Sequence, residues 1–287
     1  MKIGFVGLGT MGFEMAGHIS KKGYDVLVFN RTEAVTADWL SKFSGTGCDS
    51  ISLLSGQCDI ILTCVGNDKD VSQIYSGENG IFESAKPGAL LIDHTTTSSK
   101  LAKALNAQAT SLGLDFIDAP VSGGQAGAEN GQLSVMAGGQ ASSITQALPI
   151  LNTFSKAVTH MGESGSGQLC KMVNQICIAG VLQSLSEALM LAEATDLDID
   201  LVKNAISGGA AGSWQLSNRL ESMHKREFDF GFAIDWMRKD LSFCLDEAKS
   251  LGVNLPITEY VDKEYEKLQQ RGLNRCDTSV LAKQFEE

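Results

Sequence analysis

The opening run Lys2–Val6 passes without a break into Gly7-Leu8-Gly9-Thr10-Met11-Gly12, and then into a helical pattern with Met11, Met15 and Ile19 on one face. A bare G-x-G-x-x-G is common, but one set between a strand and the first turn of a helix is demanding. Its glycines allow a tight turn, close approach of a ligand to the backbone and close helix–strand packing. The helix N-terminus offers free N–H groups and a positive dipole end, which suits a pyrophosphate. The plainer reading, an ordinary glycine turn, does not account for that placement.

Gly23 can cap the first helix before a second strand, Asp25–Phe29. Further strands are expected over 59–65, 89–93 and 114–121, with helical segments between them. Two shorter strands, 133–137 and 157–160, would lie at the far edge. Such alternation implies a parallel sheet covered by helices on both faces. After about residue 162 no strand pattern remains. Residues 168–194 form one long helical pattern, with Leu169, Met172, Val173, Ile176, Leu182, Leu185, Leu189 and Ala192 on an apolar face broader than a surface helix needs. Helices follow around 198–207, 213–224, 232–252 and 256–271. The expected fold is a Rossmann-type, doubly wound parallel sheet over 1–163 and an all-α domain over 164–287 that begins with the long helix.

A chain of 287 residues suits two domains of ordinary size. The formal net charge of -11 argues against nucleic acid and anionic membranes as general partners. The 7 cysteines contain no C-x-x-C pair, so neither a disulfide framework nor a zinc ribbon is expected. Cys58, Cys64 and Cys177 sit in apolar stretches and read as small core residues. The 4 histidines have no metal spacing, and no metal is expected. The longest uncharged run, 131–155, is rich in Gly, Ser and Gln and is no membrane span. With no cleavable signal pattern at the start, the expected compartment is the cytoplasm.

At the end of the second strand an acidic residue would bind the ribose hydroxyls of NAD. Asn30 stands there instead, followed by Arg31 and Thr32. A guanidinium and a hydroxyl suit a ribose phosphate, so NADP is expected over NAD, which stays possible. Asp118-Ala119-Pro120-Val121-Ser122-Gly123-Gly124 ends a core strand in a glycine loop. Its hydroxyl and backbone N–H groups can hold a carboxylate, or the segment is a plain strand-exit turn. Farther on, Lys171, Asn174 and Gln175 share one helix face at i, i+3 and i+4. Lys171 is either a snorkelling surface residue or a partly buried functional amine. Lys239-Asp240, taken alone, is a helical charge pair.

GLGTMG at 7–12, DAPVSGG at 118–124, GSGQLCKMVNQ at 165–175 and KDL at 239–241 occur in this order over essentially the whole chain. Together they resemble the β-hydroxyacid dehydrogenase family of 3-hydroxyisobutyrate dehydrogenases and tartronate or succinic semialdehyde reductases. The resemblance implies hydride transfer between a nicotinamide and a small 3-hydroxy acid or its semialdehyde. It assigns Gly7 to Gly12, Asn30, Arg31, Thr32, Val65, Thr96 and Lys239 to the cofactor. Ser122, Gly123, Gly124, Asn174, Trp214 and Asp240 go to the substrate, and Lys171 becomes the general acid/base with Asn174 positioning the substrate. A lysine near its usual pKa of ~10.4 is poorly matched to pH 7, so burial or a nearby cation such as Lys239 is expected to lower it. Gln175 replaces a second Asn found in some relatives, and Thr95-Thr96 replaces Ser-Thr or Ser-Ser. His94 reads as structural. Open alternatives are an NAD-linked hydroxyisobutyrate or serine-type dehydrogenase and a dinucleotide-binding sensor or scaffold without turnover. The broad apolar helix implies a homodimer or homotetramer.

Overall fold

The structure is a computed structural model, and it describes residues 1–286. The chain divides into two compact units, Met1–Lys171 and Met172–Glu287. In the first, strands β1 (Lys2–Val6), β2 (Asp25–Phe29), β3 (Thr46–Gly47), β4 (Ile60–Thr63), β5 (Leu90–Asp93) and β6 (Asp115–Asp118) are joined by β7 (Val121–Ser122), β8 (Leu133–Gly138) and β9 (Ser155–Gly162). The order is β3-β2-β1-β4-β5-β6-β8-β7, with β9 on β8. Helices α1 (Thr10–Lys21), α2 (Glu33–Lys42), α3 (Ile51–Ser55), α4 (Asp68–Ser76), α5 (Ile81–Ser84), α6 (Ser99–Ser111), α7 (Gly124–Glu129) and α8 (Ala141–Leu151) connect them.

Strands covered on both faces need apolar residues at every position rather than at alternate ones. Ile60–Thr63 and Leu90–Asp93 accordingly are buried throughout. Ile3, Phe5, Ile60, Leu62, Leu90 and Ile92 build one core with Met15 and Ile19 of α1. Val6, Leu27, Ile61 and Leu91 build the other with Tyr75 and Leu105. Strand order reverses between β1 and β4, and ligands of such sheets bind at the carboxyl ends of strands beside that point.

The sheet is parallel only as far as β6. β8 runs antiparallel to both β6 and β7, and β9 is parallel to β8. The strand expected over 114–121 is also two strands. Pro120 has no N–H to give a ladder, so the chain breaks after Asp118 and re-enters the sheet at Val121. The short return through α7 then suits antiparallel pairing, which needs no long crossover.

α9 (Ser166–Ala194) leads into the second unit, which holds α10 (Ile199–Ser207), α11 (Trp214–His224), α12 (Ile234–Ser250) and α13 (Pro256–Gln270). Leu182, Leu185 and Leu189 of α9 pack with Leu216, Leu220, Met237, Leu241, Val261 and Tyr265. The 3-10 segment Thr278–Phe285 closes this core with Val280 and Leu281. It has no sequence signature because three apolar residues in a row carry no helical period. α9 is long and apolar enough to cross a membrane by length and composition, yet these buried leucines serve a protein core. The apolar face read from the sequence is not wholly buried, since Val173 is 60% exposed, and Leu191, outside that face, is 67% exposed. Cys177, expected in the core, is exposed, and Cys64 is half-buried. Cys58 is buried as expected, which pushes its thiol up to about 12. None of the seven cysteines forms a disulfide among the described residues.

Candidate active site

The glycine loop lies between the end of β1 and the start of α1. Gly7 has φ +94°, and a side chain there would strike the Cys64 carbonyl. A Cβ on Gly12 would strike the carbonyl of Gly7, so α1 can sit this close to β1 only without one. Gly9 caps α1 with no side-chain hydrogen bond, and its first turn holds no acidic residue. Gly9 and Thr10 are exposed, so the first N–H groups of α1 face outward for an anion. Asn30 accepts a hydrogen bond from the Leu8 N–H at 3.0 Å and donates to the Thr32 carbonyl at 3.1 Å. Its amide therefore braces the glycine loop. Arg31 beside it is exposed and makes no hydrogen bond or ion pair among the described residues.

The ends of β4 and β5 are tied by a buried polar network. Thr63 donates to Asp93 at 2.7 Å and lies 3.1 Å from the Tyr75 hydroxyl. Asp93 accepts from the Thr95 N–H at 3.1 Å, and Thr95 Oγ1 accepts from the Val65 N–H at 3.0 Å. Burial raises the Asp93 carboxyl to about 6 against these hydrogen bonds, which pull it down. Val65 and Thr96 thus sit on backbone held from beneath. His94 is buried, with Nδ1 2.7 Å from the Ala119 carbonyl and its ring edge-on to Phe154. Burial lowers it to about 4, so it is neutral and structural.

Asp118, at the end of β6, receives the N-terminus of α9. Its Oδ1 accepts from the Gly165 N–H at 2.6 Å and its Oδ2 from the Gln168 N–H at 3.0 Å. Burial pushes its carboxyl up to about 6, again opposed by these N–H groups. The contact is tight: a Cβ on Gly167 would lie 2.6 Å from the Asp118 carbonyl oxygen and would also meet that of Met136. Gln168 reaches sideways, accepting from the Thr97 N–H at 3.0 Å and donating to the Thr95 carbonyl at 2.7 Å. One turn farther stands Lys171, only 8% exposed, which removes the snorkelling reading. Ser122 pairs with Ser134 in the sheet, and Gly123 and Gly124, both exposed, open α7.

In the second unit a polar chain links the other candidates. Asn174 donates to Gln175 Oε1 at 2.8 Å, and Gln175 donates to Asp240 Oδ2 at 2.6 Å. Asp240 Oδ1 lies 3.2 Å from the Lys239 ammonium, which also sits 5.6 Å from the Phe243 ring centre. Paired in this way, Lys239 is a weaker source of positive field than an isolated cation. Trp214 begins α11 and is half-exposed, with Arg219 stacked 4.8 Å from its ring centre. Among the described residues no group of three His, Cys, Asp or Glu is placed to hold a metal ion.

Residues 2–162 match the model of the NAD binding domain of 6-phosphogluconate dehydrogenase. Residues 165–285 match that described as NAD-binding of NADP-dependent 3-hydroxyisobutyrate dehydrogenase. The chain belongs to the β-hydroxyacid dehydrogenase family. Like its relatives this dehydrogenase uses a nicotinamide dinucleotide and a small-molecule substrate. It is 48% identical to an uncharacterized oxidoreductase of Shewanella frigidimarina, over 100% of this chain and 98% of that one. It is 35% identical to 2-hydroxy-3-oxopropionate reductase of Escherichia coli K12, over 100% and 97%. Among solved structures it is similar to Mycobacterium tuberculosis 3-hydroxyisobutyrate dehydrogenase with L-serine, at TM-score 0.90 and 26% identity over 100% and 99% of the chains.

Three residues of the dehydrogenase carry more of this architecture than the sequence reading assigned to them: Asp93, Asp118 and Gln168. Asp118 and Gln168 lie inside motifs already singled out, and Asp93 ends the strand expected over 89–93. The available signal was a polar side chain in an otherwise small or apolar run, which is unfavourable unless it is hydrogen-bonded.

Proposed function

We propose that the enzyme prefers NADP and interconverts a small 3-hydroxy acid and its semialdehyde, with Lys171 as general acid/base. The observation that carries this reading is the buried amine of Lys171, on a helix pinned by Asp118 to the carboxyl end of β6. A lysine taken out of water on a rigid element suits proton transfer rather than solubility. The bound nicotinamide supplies or accepts the hydride. Lys171 gives a proton to the oxygen of the carbonyl during reduction and takes the hydroxyl proton during oxidation. Ser122 and the N–H groups of Gly123 and Gly124 hold the substrate carboxylate, which fixes the carbon that reacts. Asn174 positions the substrate. Gln175 and Asp240 fix the Asn174 amide and the Lys239 ammonium, and Lys239 serves the cofactor. Trp214 shields the substrate.

The substrate class follows from chemistry shared by two relatives. 2-Hydroxy-3-oxopropionate is an acid with an aldehyde at C3, and L-serine an acid with a hydroxyl at C3. NADP preference rests on Arg31, exposed and with no hydrogen bond or ion pair among the described residues, beside an Asn30 whose amide is occupied with the glycine loop. Cysteines that form no disulfide among the described residues suit the reducing cytoplasm, where we place the enzyme, as a homodimer or homotetramer.

The test is turnover of wild type, Lys171→Ala and Lys171→Arg with both cofactors against a panel of C3 aldehyde acids. A positioned acid/base contributes roughly 10²–10⁴-fold, so Lys171→Ala should lose that much kcat while NADPH still binds. Arginine should not rescue, because guanidinium keeps its proton. Near-normal kcat in both variants would refute the assignment. A wild type that binds NADPH and turns over no member of the panel would favour a sensor.

A further inference from the structure

The segment between β5 and α6 is irregular backbone, so its buried N–H and C=O groups have no ladder and must find other partners. Thr95 and Thr97 are almost completely buried, and both turn their backbone to one side chain, Gln168, itself fully buried. The Thr97 N–H can only donate and the Thr95 carbonyl can only accept. The orientation of the Gln168 amide is thereby fixed by chemistry. The flanked residue is Thr96. Gln168 itself cannot drift, since its own N–H is held by Asp118 Oδ2 and its helix is seated on β6 by Asp118 Oδ1 and the missing side chain of Gly167.

We propose that Gln168 is a positioning residue for the reaction: its amide clamps the Thr95–Thr97 segment to the helix turn that carries Lys171, and so sets the acid/base against the cofactor-facing Thr96. The inference rests on the roles given above to Lys171 and Thr96. It goes beyond them by making the spacing of the two a property of a third side chain that touches neither reactant. No aliphatic residue supplies the required donor and acceptor together. A carboxylate supplies only the acceptor, until it is protonated and can donate again.

That last difference gives the experiment. Gln168→Glu and Gln168→Met are compared with wild type at saturating NADPH between pH 5.5 and 8.5, with NADPH dissociation constants from fluorescence titration. Asp118 on β6, Asp93 at the end of β5, His94 after it, Lys103 on α6 and Lys171 on the same helix titrate or carry charge nearby in all three proteins. The readout is therefore the ratio of variant to wild-type kcat. Misplacement of reacting groups by about 1 Å lowers rates about 100-fold, so both variants should lose roughly 10- to 100-fold at pH 8. The ratio for Gln168→Glu should climb as pH falls and the carboxyl regains its proton, while the ratio for Gln168→Met stays flat. NADPH affinity should change far less than kcat. A Gln168→Glu variant with near-normal kcat at pH 8, or a deficit that does not vary with pH, overturns the proposal and leaves Gln168 a purely structural amide. Should the Gln168→Met variant fail to fold, the Gln168→Glu series decides alone. Lys171→Ala run alongside separates the two readings. Retained kcat there, with a pH-dependent deficit in Gln168→Glu, removes the lysine assignment and keeps the clamp on Thr96. Lost kcat there, with a normal Gln168→Glu, removes only the clamp.

Discussion

Arg31 and Asn30 differ at the end of β2: Arg31 is exposed, and Asn30 holds the Leu8 N–H. A charge-assisted contact to a ribose phosphate is worth about 1.5–3 kcal/mol, so Arg31→Ala should raise the KM for NADPH roughly 10-fold or more and leave that for NADH nearly unchanged. Equal effects on both cofactors would make Arg31 a surface residue. Asn30→Asp should move preference toward NADH, since a carboxylate still accepts from Leu8 and repels phosphate. His94 offers a stability test at the same scale. Its folded pKa, lowered to about 4, lies below the ordinary 6.5. The unfolded chain therefore takes up the proton first, and the stability present above about pH 6.5 is lost as pH falls toward 4. Between pH 7.5 and pH 5 that loss is about 2 kcal/mol, from roughly 1.4 kcal/mol per pKa unit. His94→Gln lacks this titration, so urea denaturation should show the wild-type advantage shrinking by about that much at pH 5. A gap independent of pH would mean that His94 is not neutral in the fold.

At the scale of elements, the start of α9 is a tightly constrained junction. It is seated by hydrogen bonds to Asp118 and by a glycine packed against two carbonyl oxygens. A methyl group added there has no flexible neighbour to displace. Gly167→Ala should destabilise the protein by about 1–3 kcal/mol, the usual range for overpacking, and should lower kcat by shifting the turn that carries Lys171. Denaturation midpoints and kcat on the same preparation check this, and wild-type values for both would show that the junction yields freely. In the second unit the corresponding anchor is Asp277. It is buried, accepts from Arg219 at 3.1 Å and the Phe232 N–H at 2.9 Å, and caps the 3-10 segment through Ser279. Asp277→Ala strands those donors, so a loss of about 3–5 kcal/mol is expected, measured by thermal or urea unfolding.

For the whole molecule, the exposed apolar residues of α9 need a cover. Val173, Cys177, Val181 and Leu191 are exposed on a helix whose other residues build a core. Apolar residues sharing one helix are an expected subunit contact, and closed symmetric dimers are the commonest outcome. Sedimentation equilibrium should give a dimer or a tetramer. Leu191→Glu should shift the balance toward smaller species, and a monomeric wild type would reject this reading.

The local sequence determined what depends on neighbours along the chain. Gly7 to Gly12 fixed the first strand–loop–helix, because positive φ and close approach are requirements on single residues. Continuous apolar runs gave the buried strands, and the 3.6-residue period gave the helices from α9 to α13 to within a few residues. Asn30, Arg31 and Lys171 were legible as candidates for the same reason. Tertiary structure decided what depends on residues far apart in sequence. Pro120 breaks what the sequence read as one strand over 114–121, and the antiparallel run of β8 depended on which edge the chain rejoined. Cys177 read as core because hydrophobicity is a property of the residue, whereas burial is a property of what packs against it. Gln168 had no role in the sequence reading, and the fold set its amide against Thr95 and Thr97, 73 and 71 positions away. A buried polar side chain has a meaning only through its partners, and those partners are brought to it by the whole sheet.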